Sequence, residues 1–199
     1  MATFDWPAAF LPTNVEWGNG KSILQFTSNY SGTTQSVETG PERWTVSVSL
    51  PQMYWNEAAR IEAFFERLAG GVNRVRLYHF TRPVPRGAMR GSPTLQTAAA
   101  RGNTSLVLNN AGAGATLKAA DLFSMGGQLY KCADDCTASG GGVITVPLVH
   151  RVRYPTAAGA AVVWDHPTAD FIMPATGSKL GYSAGISDPM SQIDFQEVW

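Results

Sequence analysis

The 199-residue chain is short of charge, of cysteine and of long apolar runs. Charged residues make up 15% of it, and the 15 basic residues balance the 15 acidic ones, so the formal net charge is zero. Such neutrality gives no general argument for binding nucleic acid or an anionic membrane. No apolar run is long enough to span a bilayer, and the N-terminus lacks the basic and apolar regions of a secretory signal. We therefore expect no membrane insertion, and a protein that stays in the cytoplasm or leaves it by a route other than the signal pathway.

The scarcity of cysteine and histidine argues against a metal site. Zinc needs about four nitrogen or sulfur ligands, whereas the three histidines, His79, His150 and His166, are scattered. Cys132 and Cys136 are separated by three residues, which permits a disulfide if the Cα separation allows it. In a cytoplasmic product such a pair more often stays reduced. The sequence thus predicts no metal and no cofactor, and leaves a Cys132–Cys136 disulfide open.

Glycine, proline, serine and threonine are plentiful, which favours many short strands joined by turns. One segment, 55–71, has the period of an amphipathic helix. Its apolar residues fall on one stripe, Asn56 is placed to cap its start, and Gly70 and Gly71 are placed to end it. The predicted stripe is Ala58, Ile61, Phe65 and Leu68. A lone amphipathic helix needs a sheet to cover, so we predict a mainly β fold with one helix.

Alternation of apolar and polar residues predicts strands on both sides of the helix. The segment Arg43–Leu50 alternates cleanly, and Val72–Phe80 follows the helix as a second strand. Residues 1–20 are rich in aromatic side chains but show little regular pattern. Residues 29–41 read as a polar loop, and the prolines and glycines of 81–93 read as an extended linker.

Beyond that linker the residue pattern predicts short strands and tight turns without a helix, which is typical of a small barrel. In residue pattern, the segments after residue 154 are more similar to those before the linker than to the middle of the chain. We therefore predict a β-sandwich domain with one helix, made of residues 1–92 and 154–199, and an inserted small β-barrel domain at 93–153.

Residue patterns typical of catalysis are missing from the sequence. Asp134 and Asp135 are adjacent, so on an extended segment their side chains point to opposite faces. Asp165 and Asp170 lie near a histidine, but no nucleophile motif accompanies them. No phosphate-binding loop has the required spacing. We therefore expect that the protein is not an enzyme.

Between Glu66 and Asp121 the chain has no acidic residue but many basic ones. Such a run is usually a solvated face or a surface that meets an acidic neighbour. No aromatic interleaving or known binding motif accompanies it, so sequence-specific nucleic-acid binding is not expected. The candidate inter-subunit interface consists of Arg74, Arg76, Arg82, Arg86 and Arg90.

Several short motifs between Trp55 and Arg153 resemble those of a known family. They are the helix end Phe64–Gly71, the strand Asn73–Leu77 and the segment Val84–Gly87. A Leu-Lys-x-x-Asp turn at 117–121 then leads into a Gly-Gly-Gln-Leu-Tyr hairpin at 126–130. In this pattern the chain is similar to distal tail proteins of long-tailed, siphovirus-like bacteriophages and of related prophage or gene-transfer elements.

The resemblance implies a belt domain, a β-sandwich with one helix, that closes into a hexameric ring, and a second small β-domain that projects outward. Such a ring joins the tail tube protein to the tail-tip hub or baseplate and leaves a lumen for DNA and the tape-measure protein. The implied location is the virion tail, assembled in the cytoplasm of the bacterial host. Neither catalysis nor a cofactor is implied.

Two other functions remain open from the residues. A small β-domain with aromatic side chains on an exposed face can bind carbohydrate, and Tyr130, Tyr154 and Trp164 are candidates for such a face. A cell-wall or capsule hydrolase is disfavoured by the missing catalytic residues, and loss of turnover on changing Asp134 or Asp135 would revive it.

Overall fold

The computed structural model describes residues 1–21, 23–40, 42–173, 182–183, 186–187 and 190–198. Within them the fold is mainly β with one α-helix, α1 (Trp55–Leu68), which confirms the predicted class. A 3-10 turn, Ala69–Gly71, follows α1. The strands are β1 (Thr3–Asp5), β2 (Asn14–Gly20), β3 (Ile23–Thr27), β4 (Thr34–Glu38), β5 (Arg43–Leu50), β6 (Arg74–Tyr78), β7 (Thr94–Leu95), β8 (Ser105–Asn109), β9 (Thr116–Leu117), β10 (Leu122–Met125), β11 (Gln128–Lys131), β12 (Cys136–Thr137), β13 (Ile144–Pro147), β14 (Val162–Val163), β15 (Thr168–Ile172), β16 (Tyr182–Ser183), β17 (Ile186–Ser187) and β18 (Met190–Glu197).

The largest sheet has six strands in the order β1-β6-β15-β18-β5-β2. Strand β1 runs parallel to β6, and the other neighbours are antiparallel. The clean alternation predicted for β5 is confirmed, since Trp44, Val46, Val48 and Leu50 are all buried. The C-terminal strands β15 and β18 lie between β6 and β5, so both ends of the chain build this sheet.

Helix α1 packs its apolar stripe into the same core as the large sheet. The four residues predicted for the stripe are buried, and Phe64 joins them. Asn56 is not the N-cap that the sequence predicts, because the helix begins one residue earlier, at Trp55, and Tyr54 takes the capping position. The Asn56 side chain instead accepts a hydrogen bond from the backbone N–H of Glu57 at 2.9 Å. At the other end Ala69 takes the left-handed conformation (φ 49°), followed by Gly70 (φ 58°).

Two predictions for the N-terminal part are wrong. Residues 1–20 contain β1 and β2, and the predicted polar loop 29–41 contains β4, which pairs with β3 in a separate hairpin. The reason is that β1 and β2 are the outer strands of their sheet and β3 and β4 are exposed throughout. Few of their side chains are buried, so burial imposes only short runs of alternation, such as Val15 and Trp17 in β2, from which a strand can be predicted.

Strands β7 to β14 form a second, smaller unit, called here the small unit. Six of these strands close into a barrel. Strand β10 pairs with β11 and β14, and β8 pairs with β13 and β7. Two isolated bridges join these sheets, one between Cys132 and Leu148 beside β11 and β13, the other between Thr94 and Ala161 beside β7 and β14. The circuit β10-β11-β13-β8-β7-β14 is therefore complete around a second core that includes Phe123. Because β14 belongs to it, the small unit extends beyond the predicted boundary at residue 153.

The predicted linker is packed against the small unit. The backbone N–H groups of Arg86 and Gly87 donate to the buried carboxylate of Asp121 at 3.0 and 2.9 Å. Met89 is fully buried in the barrel core and its N–H donates to the carbonyl of Thr116 at 3.0 Å. A Cβ added at Gly87 would lie 2.0 Å from that same carbonyl oxygen, so the close approach requires glycine. The segment is thus part of the barrel wall.

Candidate functional site

The hairpin β3–β4 is the most exposed element of secondary structure in the described part of the chain. All ten of its strand residues are exposed. Directly opposed residues share a face, and Leu24 opposes Val37 while Phe26 lies two residues along. These three side chains form the apolar face of the hairpin, with exposures of 48, 43 and 56% for Leu24, Val37 and Phe26. A two-stranded ribbon with an uncovered apolar face is marginally stable alone and suited to a partner.

The end of the hairpin is ordered by its own hydrogen bonds. Ser28 N–H donates to the carbonyl of Thr33, and Gly32 N–H donates to the carbonyl of Ser28, both at 2.9 Å. Tyr30 at this end is fully exposed. At the base, Glu38 lies 4.0 Å from Arg151 of the small unit. The hairpin is thus held by hydrogen bonds at its end and by an ionic contact at its base.

A second exposed apolar patch lies at the opposite end of the large sheet. Tyr54 and Trp55 are about two-thirds exposed where α1 begins, and Ile186 pairs with Tyr54 through an isolated bridge. Strand β5 runs from the hairpin end of the sheet to this end over eight residues, a distance of roughly 25 Å. The large sheet thus has exposed apolar side chains near both ends of strand β5.

The two units are joined by a buried ion pair. Arg153 donates from both terminal nitrogens to the carboxylate of Glu197, with Nη2 to Oε1 at 2.7 Å, and both side chains are buried. The same carboxylate accepts the backbone N–H of Trp44 at 3.0 Å, and the Trp44 indole donates to the carbonyl of Leu129 at 3.1 Å. These contacts tie the barrel to the large sheet by specific, water-excluded hydrogen bonds.

A second polar contact lies beside this ion pair. His150 Nδ1 lies 2.6 Å from Glu42, which also contacts Lys21 at 2.7 Å and Asn19 at 3.3 Å. Burial alone would raise the pKa of Glu42, but the hydrogen bonds from Lys21, His150 and Asn19 bring it below its ordinary value. Burial lowers the pKa of His150 in turn. We therefore assign a carboxylate that accepts from the Nδ1–H of a neutral imidazole.

An open cavity of about 380 Å³ lies between the base of the hairpin and the barrel. Its lining carries both signs of charge, from Glu38 and Glu42 and from Arg101 and Arg151, while the third arginine of the lining, Arg153, is neutralised by Glu197. This balance singles out neither an anionic nor a cationic ligand.

His79 is buried in the large unit against an aromatic ring. Its imidazole stacks on Trp17 with centroids 5.0 Å apart, Arg82 Nη2 lies 3.0 Å from Nε2, and Thr81 lies 3.1 Å from Nδ1. Because arginine can only donate, Nε2 accepts from Arg82 and Nδ1–H donates to Thr81. Burial first, and the Arg82 charge second, lower the pKa of His79 to about 4. The ring is therefore neutral at physiological pH.

The structure separates the five candidate interface arginines into three groups, each with partners in the same chain. Arg74 and Arg76 lie on the outer face of β6, and both contact Asp170 on β15, at 3.6 and 3.7 Å. Arg82 contacts His79. The last two belong to the barrel side, where Arg86 contacts Asp121 and Arg90 lies over the ring of Trp164. Each of the five arginines thus has a partner within the chain, and their role in an interface stays a prediction.

Two further candidates, Asp135 and Tyr130, lie within the small unit. Asp135 accepts from the Ala119 N–H at 2.8 Å and from Lys118 Nζ at 2.9 Å, which is a structural role in a turn. Tyr130 is buried in the barrel core, so it cannot belong to an exposed carbohydrate platform with Tyr154. Among the residues the structure describes, no three His, Cys, Asp or Glu side chains form a group able to hold a metal.

Comparison with known proteins gives no assignment. No protein-family model matches the chain, and no curated protein matches it in sequence. Across the described ranges, no helix has the length and apolar character needed to cross a membrane.

Proposed function

We propose that this protein is a structural, non-enzymatic ring subunit of a phage tail tip, of the kind that the distal tail proteins form. In this proposal about six copies close around the DNA channel and connect the tail tube protein to the tail-tip hub. The ring lies in the virion tail and is assembled in the cytoplasm of the bacterial host. The tape-measure protein and DNA pass through its lumen.

The observation that carries the proposal is the exposed apolar face of the hairpin, formed by Leu24, Phe26 and Val37. Isolated apolar residues are common on protein surfaces, but a row of them on an ordered two-stranded ribbon favours contact with another chain. Strand β2, which leads into the hairpin, is an outer strand of the large sheet. Outer strands and projecting ribbons are the elements through which chains pair.

The positions of the apolar surfaces favour a ring over a two-fold dimer. The hairpin and the Tyr54–Trp55 patch lie at opposite ends of the sheet, so a contact between them joins different surfaces of two copies. Such heterologous contacts close into a ring when the rotation between copies divides a full turn. The buried ion pair between Arg153 and Glu197 would keep each subunit rigid within such a ring.

The test is the assembly state of the full chain, measured by light scattering and negative-stain imaging over a range of concentrations. We expect ring-shaped particles of about six copies. Replacing Leu24 and Phe26 with serine removes two side chains worth roughly 1.5 kcal/mol each at an interface. The subunit contact should therefore weaken about 100-fold.

The matched control replaces Gln25 and Thr27 with serine, since these residues lie on the other face of the same strand. It should assemble like the wild type. A wild-type chain that stays monomeric at the highest concentration would count against the proposal. So would equal loss of assembly in the test and control variants.

The carbohydrate-binding alternative lacks such an observation. Of its three candidate aromatics, Tyr130 is buried and Trp164 is partly covered by Arg90 and donates its indole N–H to the Gly91 carbonyl at 2.9 Å. These contacts support the assembly proposal over carbohydrate binding.

A further inference from the structure

Cys132 and Cys136 face each other inside the small unit. Their sulfur atoms are 3.8 Å apart and both are free thiols. Cys132 follows β11 and is fully buried, whereas Cys136 begins β12 and is half-buried. Two thiols in contact can form a disulfide, and one of these two can be reached from solvent.

The backbone holds both cysteines against the same short segment of chain. The Cys132 N–H donates to the carbonyl of Asp121 at 2.9 Å, and its own carbonyl accepts the N–H of Ala120 at 2.8 Å. Cys136 is paired with Leu117 in the β9–β12 ladder. Between the cysteines, the Asp135 carboxylate fixes the loop to the 118–119 turn. Closing the sulfur separation to a bond length of about 2.05 Å therefore asks for a local shift of under about 2 Å.

The two thiols differ in access. Burial raises the pKa of Cys132 to about 12, and its thiol donates to the carbonyl of Asp134 at 3.0 Å. Burial also raises the pKa of Cys136, but that thiol is only half-buried. Since thiolates are the attacking species, Cys136 is the thiol that meets an external oxidant, and Cys132 is the one that attacks second.

We propose that Cys132 and Cys136 are a modification site, at which a small-molecule disulfide such as oxidised glutathione converts the two thiols into an intramolecular disulfide. In the first step the Cys136 thiolate attacks one sulfur of the small disulfide. A mixed disulfide forms on Cys136, and the first small thiol leaves and takes up a proton.

In the second step Cys132 loses its proton to solvent and attacks the Cys136 sulfur. The Cys132–Cys136 bond forms, the mixed disulfide breaks, and the second small thiol leaves with a proton. Overall, the two protein thiols are oxidised by two electrons and the small disulfide is reduced to two thiols. This chemistry is independent of the proposed ring, and it predicts a pair that is reduced in a reducing compartment and closes in an oxidising one.

The test treats the folded full chain with oxidised glutathione and follows the intact mass and the 132–136 peptide by mass spectrometry. The wild type should lose the mass of two hydrogens, with at most a transient adduct. Cys132→Ala should keep one glutathionyl group on Cys136, because the second thiol is missing. Cys136→Ser should acquire an adduct at least tenfold more slowly, because the remaining thiol is buried.

Circular dichroism before treatment establishes that each variant is folded. Three results would overturn the proposal: a wild type that does not react, a wild type that keeps a stable single adduct on Cys136, or a Cys136→Ser variant that reacts as fast as the wild type. Reduction of the oxidised wild type with dithiothreitol should restore both thiols and the original mass.

Discussion

Acidification should destabilise the protein through His79, and the effect is large enough to measure. The folded state holds this ring neutral with a pKa near 4, against an ordinary value of 6.5. The unfolded chain therefore binds more protons than the folded one between these values, so stability falls as the pH drops through this window. At pH 4.5 the loss from His79 alone is about 2.5 kcal/mol relative to neutral pH.

The physical origin of this loss is specific. A protonated ring would be buried against Trp17 and would place a second positive charge 3.0 Å from the Arg82 guanidinium. It would also lose the lone pair that accepts the Arg82 hydrogen bond. His79→Gln keeps a polar side chain of similar length but cannot titrate.

The assay is urea unfolding at about pH 7 and about pH 4.5 for the wild type and the variant. Carboxylates also titrate in this range, so the informative quantity is the difference between the two proteins. The wild type should lose about 2.5 kcal/mol more than His79→Gln. His166→Asn, at an exposed histidine, is the matched control for removal of a histidine side chain. An equal pH-dependent loss in His79→Gln and the wild type would refute the reasoning.

Two further predictions concern stability. Gly87→Ala forces a Cβ to within 2.0 Å of the Thr116 carbonyl oxygen and should lower the free energy of unfolding by about 3 kcal/mol or more in thermal melts, whereas Gly140→Ala, which meets no atom within 4 Å, should cost under about 1 kcal/mol. Arg153→Met leaves the Glu197 carboxylate buried without its partner and should cost about 3–5 kcal/mol in chemical denaturation; adding Glu197→Gln should recover part of that loss, and no recovery would contradict the ion-pair argument.

The sequence predicts those elements whose side chains alternate between core and solvent. Strand β5 and helix α1 have the periods of 2 and 3.6 residues that burial imposes, and their buried residues match the predicted ones. Strands β1, β2 and β4 escape the same reasoning. They lie at sheet edges or in the exposed hairpin, where backbone hydrogen bonds decide the pairing and few side chains are buried.

The sites are less visible in the sequence because they join distant residues. His150 and Glu42 are 108 residues apart, and Arg153 and Glu197 are 44 apart, so no local spacing reveals either contact. The cysteine pair was visible as a candidate because it lies within one short loop. Its 3.8 Å sulfur separation depends on the turn at Asp121, which no cysteine spacing encodes.

The topology of the small barrel has a consequence for how such a chain can change over evolution. Strands β6 and β15, which flank the insertion, are antiparallel neighbours, with Tyr78 opposite Thr168. The barrel is therefore an enlarged hairpin loop, and its first and last strands adjoin where Thr94 meets Ala161. Recombination at these two points could exchange the whole barrel as a cassette and leave the strand order of the large sheet intact. The constraint on a new cassette would be to supply partners for Glu197 and Trp44 at the junction.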